Sequence, residues 1–76
     1  MTFQFATIIV MNIGQKIKEL RNEKGITQEQ LAAELQISRP ALALYETGKR
    51  QIPNELILSI AKFFYVTTDY LFGLEN

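Results

Sequence analysis

A chain of 76 residues makes one small domain, near the size at which a single hydrophobic core only just suffices and a partner subunit often helps. It holds no cysteine and no histidine, so it lacks a disulfide framework, a thiolate nucleophile, the commonest general base and the commonest transition-metal ligand. Most enzyme chemistry is excluded with them, neither cofactor nor metal is expected, and the balance of eight basic against eight acidic side chains leaves no global field to attract a polyanion.

Residues 1–10, "MTFQFATIIV", carry no charge and are rich in aromatic and β-branched side chains, which is a strand composition. Three readings of this extension stay open: translation beginning upstream of a natural start at Met11, a tag-like addition, or a strand that pairs with a second copy of itself. Unanchored termini are dispensable, and unpaired apolar edges are sticky. The stretch from Phe5 to Met11 is too short to cross a bilayer and lacks the positive segment that precedes a secretory signal. A cytoplasmic protein without a membrane partner is expected, with its domain body over 11–76.

From residue 11 the pattern turns helical. Asn12 is a candidate N-cap with Gln15 three residues later; Ile13, Ile17 and Leu20 share a face, and Gly25 stops helix one. Thr27 then caps helix two with Gln30 as its capping-box partner, and Ile26 stands where it can staple to Leu31. This helix ends near Leu35. The device recurs, because Ile37 and Ser38 stand to Leu42 as Ile26 and Thr27 stand to Leu31. Pro40 falls in the first turn of helix three, where its missing N–H costs nothing, and it biases Arg39 away from helical dihedrals, so that Arg39 competes with Ser38 for the cap. Gly48 turns the loop "TGKRQIPNE", and Pro53 starts helix four, whose Leu56, Ile60, Ala61 and Phe64 recur at helical spacing. Thr67 or Thr68 caps a short fifth helix that Gly73 ends. Five short helices with tight connections predict a compact all-α bundle.

Helices two and three, Gln28 to Leu35 and about Arg39 to Glu46, have the spacing of a helix-turn-helix, whose second helix can enter a DNA major groove. By spacing alone, an ordinary corner between two helices fits as well. The stretches "IGQKIKELRNEKGITQEQLAAEL", "ISRPALALYETGKR" and "IAKFFYVTTDYLFG", in that order, resemble the Cro/C1-type (XRE-like, phage repressor-like) helix-turn-helix family of transcriptional regulators. The resemblance covers all but the first ten residues.

It implies a lambda-repressor-like fold and a regulator, a repressor by expectation, that binds double-stranded DNA. By position, the family's base-reading sites fall on Arg39, Pro40, Ala43 and Leu44, and its phosphate contacts on Gln28, Thr47, Lys49 and Arg50. Arg21 and Glu46 match a charged pair that ties helix one to the end of helix three. The resemblance also suggests a homodimer through the C-terminal helix, with Tyr70, Leu71, Phe72 and Leu74 as contacts. With no ligand domain following, no small-molecule effector is expected.

Two departures from the family pattern bear on function. Gln36 stands where glycine is usual, so a residue with a Cβ is expected in a left-handed turn. Pro40, Ala43 and Leu44 replace the small polar or charged residues common on the reading face and cannot hydrogen-bond a base edge. Apolar contact reads the thymine methyl, and arginine reads guanine, so thymine-rich half-sites with one guanine under Arg39 are expected. The alternative is that Ala43 and Leu44 cover part of a protein interface. The aromatic residues Phe63, Phe64, Tyr65, Tyr70 and Phe72 fit core and dimer contacts better than a stacking platform for single strands. Glu19, Glu23, Glu29 and Glu34 read as a solvated face and not as a metal site.

Overall fold

Capping chemistry divides the chain. The computed structural model describes residues 2–74, with side chains from Ile13 onward, and every regular element in it is an α-helix. The order is α1 (Thr2–Lys24), α2 (Gln28–Leu35), α3 (Arg39–Glu46), α4 (Asn54–Phe64) and α5 (Thr68–Leu71).

The first helix differs from expectation. It runs unbroken from Thr2, so residues 2–10 are helical and not a strand, and Asn12 lies inside the helix and not at its cap. Strand composition expresses a preference for a pleated, half-buried surface, and no neighbouring strand exists among the described residues to provide one. A helix satisfies its backbone N–H and C=O groups internally.

At α2 the expected capping box is present. Thr27 Oγ1 accepts from the Gln30 amide at 3.1 Å, and Gln30 Oε1 accepts from the Thr27 amide at 2.8 Å. The helix ends in a left-handed Gln36 at φ 60°, ψ 41°, and the Ile37 amide donates back to Ala32 O at 3.0 Å. A residue with a Cβ pays roughly 1 to 2 kcal/mol for this conformation. For α3 the competition between caps resolves in favour of Ser38: its Oγ accepts from the Ala41 amide at 3.2 Å, and Arg39 and Pro40 are the first two helical residues. The hydrogen bond supplied by the serine outweighs the bias that proline imposes on its predecessor. Pro53 similarly stands just before α4, at the cap position, and Thr67 caps α5.

Tyr65 repeats the geometry of Gln36. It ends α4 at φ 57°, ψ 43°, and the Val66 amide donates to Ala61 O at 3.0 Å.

Each helix supplies one side chain to the centre of the core: Ile17, Leu31, Leu42, Ile60 and Leu71 all have no exposed surface. Leu71 is therefore a core residue, and its expected place in a dimer contact is corrected: a side chain already enclosed by its own fold has no surface to offer a partner. Gly14 is also buried, where α1 crosses the end of α3. A Cβ there would collide with the carbonyl groups of Tyr45 and Glu46, so glycine permits the close approach. That crossing brings Arg21, two turns further along α1, alongside Glu46.

Candidate nucleic-acid interface

The surface of α3 is set by its periodicity. At about 100° per residue, positions 39, 40, 43 and 44 span roughly 140° of the helix. Leu42, Tyr45 and Glu46 are buried, while Arg39 and Pro40 are exposed and Ala43 and Leu44 half-buried. All four expected base-reading positions thus lie on the side away from the core.

Arg39 occupies the N-terminal end of α3. Its side chain makes no hydrogen bond or ion pair among the described residues, and it lines a shallow concavity together with Gln28, Thr27 and Arg21. Lys49 and Arg50 lie just past the C-terminal end, exposed and likewise unpaired among the described residues. The backbone amides of this loop are already used: Lys49 and Arg50 both donate to Leu44 O, at 2.9 and 3.3 Å. Their cationic side chains remain for a ligand. Thr47 is exposed, its Oγ1 donating back along the helix to Ala43 O at 3.0 Å and to Leu44 O at 3.2 Å. Of the expected phosphate contacts, Thr47, Lys49 and Arg50 follow the C-terminal end of α3, and Gln28 flanks the helix from α2, lining the concavity beside Arg39. An α-helix with its side chains is about 10 to 12 Å across, close to the roughly 12 Å width of a B-DNA major groove.

The charged pair anchors this helix from behind. Arg21 Nε donates to Glu46 Oε2 at 2.8 Å and Nη2 to Oε1 at 3.2 Å, a bidentate contact in which the two side chains are 10% and 2% exposed. Arg21 Nη1 also donates to Ile26 O at 3.0 Å. Glu46 sits at the negative end of the α3 dipole, where a carboxylate is disfavoured, and the guanidinium opposes both charges. A further bond escaped the sequence reading: Gln28 Nε2 donates to Glu46 Oε1 at 3.0 Å. Nothing local in the sequence signals it, because the two residues meet only through the packing of α2 on α3.

The profile of the helix-turn-helix family matches residues 17–71, from the first core residue of α1 to the last of α5. The chain belongs to the Cro/C1-type helix-turn-helix family. Among Cro/C1-type relatives, it is 43% identical over 66 residues to the HTH-type transcriptional activator BcrR of Enterococcus faecalis, covering 87% of this chain and 32% of that protein. It is 35% identical to the HTH-type transcriptional regulator ImmR of Bacillus subtilis, covering 87% of this chain and 52% of ImmR. The chain therefore spans between a third and about half the length of these relatives. The crystal structure of the restriction-modification controller protein C.AhdI from Aeromonas hydrophila superposes with a TM-score of 0.74 at 31% identity, covering 82% of this chain and 94% of C.AhdI. Among the described residues, no helix of this Cro/C1-type domain is long and apolar enough to cross a membrane, and no group of three or more candidate metal ligands occurs.

Proposed function

We propose that this domain binds double-stranded DNA in a sequence-dependent way and regulates transcription, with α3 in the major groove. The observation that carries the reading is the unpaired arginine and apolar face of α3, flanked by Gln28, which lines the concavity beside Arg39, and by Lys49 and Arg50 past the C-terminal end. Arg39 reads a guanine; Pro40 and the outward parts of Ala43 and Leu44 meet thymine methyl groups. Phosphate contacts supply most of the affinity and base contacts the discrimination. Occupancy of a promoter by such a domain blocks competing proteins, so repression is the proposed outcome. The apolar face of α3 as a protein-docking surface is less favoured, since the exposed large apolar side chains lie elsewhere, at Leu58, Tyr65, Phe72 and Leu74.

Salt dependence tests the electrostatic part. Two cations per protomer, Lys49 and Arg50, give about four phosphate contacts in a dimer and a slope of log K against log salt near −3 to −4. A slope close to zero would mean that apolar contact, and not counterion release, drives association.

Two copies are proposed to bind two half-sites about one helical turn apart, because one small module buries too little surface for tight specific binding. Tyr70, Phe72 and Leu74 form the proposed contact, Phe72 and Leu74 being exposed and Tyr70 half-buried. Phe72→Asp is expected to lower both self-association in sedimentation and operator affinity while leaving the helical content intact. Unchanged sedimentation of a chain that is already dimeric would move the interface elsewhere.

A further inference from the structure

The charged pair expected to be structural has a third member, and its chemistry is directional. The Glu46 carboxylate can only accept hydrogen bonds, so the Gln28 amide must present nitrogen to it and not oxygen. Glu46 cannot turn away to relieve that demand. Both of its oxygens are held by the Arg21 fork, and Arg21 is itself fixed to Ile26 O. No buried side-chain nitrogen or oxygen among the described residues lacks a partner, so the network is closed on its inner side. On its outer side Gln28 is only half-buried, at the first position of α2, and lines the same concavity as Arg39. One N–H of Nε2 is thus committed inward while a second remains.

A freely rotating glutamine offers a phosphate its oxygen as readily as its nitrogen, and only the nitrogen can bind. We propose that Glu46 is a positioning residue for DNA: by holding one N–H of Gln28, it directs the other to a phosphate oxygen of the target strand. The Arg21–Glu46 pair then sets affinity as well as stability. The inference rests on the DNA-binding reading above and adds to it a residue that does not itself touch the nucleic acid.

A double-mutant cycle tests it, with a duplex selected by the wild-type chain from a random pool as probe and protein concentrations corrected for the folded fraction measured by circular dichroism. Gln28→Ala should weaken binding roughly three- to tenfold, the range of one hydrogen bond. Glu46→Gln, whose amide can donate to Gln28 and so ends the demand for nitrogen, should weaken it by a similar factor. In the Gln28→Ala background the loss from Glu46→Gln should be smaller by that same factor, and the salt slope of Gln28→Ala should not change, because Gln28 carries no charge. A loss from Glu46→Gln that is the same with and without Gln28 would overturn the proposal in favour of a purely structural role. Should Glu46→Gln fail to fold, hydrogen exchange in the ¹⁵N-labelled wild-type chain decides: one Gln28 Nε2 proton should be protected in the free protein and the other only on DNA. Two freely exchanging protons in the free protein, or no change on adding DNA, would overturn it. A wild-type chain that binds no duplex at all would instead sink the DNA-binding reading itself, and this inference with it.

Discussion

Replacing Glu46 with alanine is expected to destabilise the domain by about 3 to 5 kcal/mol, the cost of leaving a buried charge without its partner. Arg21, at 9% exposed, would keep only its bond to Ile26 O. A domain of this size holds in total about 4 to 11 kcal/mol. The single change therefore removes a large share of it, and urea denaturation should show the midpoint shifted far down at an unchanged slope. The comparison that isolates the cause is the double replacement Arg21→Met with Glu46→Leu. Removing both charges avoids the desolvation cost, so this variant should recover most of the loss. A loss below about 1 kcal/mol for Glu46→Ala would match an exposed, screened pair and contradict the burial seen here.

Arg39→Ala and Lys49→Ala are expected to differ in kind. Arg39 leads α3, and residues at that end of a recognition helix meet base edges. Its loss should cost about 1 to 3 kcal/mol per half-site on the preferred duplex and little on random DNA, because a bidentate arginine contact discriminates among bases. Lys49, beyond the other end of the helix, should weaken preferred and random duplexes alike and flatten the salt dependence by about one unit per lost contact. Titration of both variants on both duplexes gives four numbers and a plain criterion. Equal losses for Arg39→Ala on preferred and random DNA would remove its reading role.

Local chemistry is legible in the sequence, whereas of the contacts that depend on packing only the Arg21–Glu46 pair is, and that through the family resemblance. Thr27 with Gln30 and Ser38 with the amide of Ala41 are contacts across three residues, so spacing alone locates them. The left-handed Gln36 was legible because the family places glycine there. Its counterpart Tyr65 was missed, although "YVT" after α4 repeats the pattern of "QIS" after α2, and that echo was available as a signal. Gly14 gave one too: a glycine inside a helical pattern carries a cost that close packing can justify. Composition favours a strand over residues 2–10, yet this stretch belongs to a helix that starts at Thr2. Nothing in the sequence separates the buried Leu71 from its exposed neighbours, because the terminal segment is too short for periodicity to sort it. The sequence marks Gln28 only as a phosphate ligand; its bond to Glu46 joins residues 18 apart and exists only once α2 has packed on α3.

Selection of bound sequences from a pool of random duplexes tests the central claim, that α3 reads a major groove, most directly. The expected pool is enriched in two half-sites about one helical turn apart, thymine-rich with a guanine whose preference disappears in Arg39→Ala. A pool that emerges unenriched, from low-salt and moderate-salt rounds alike, would contradict it.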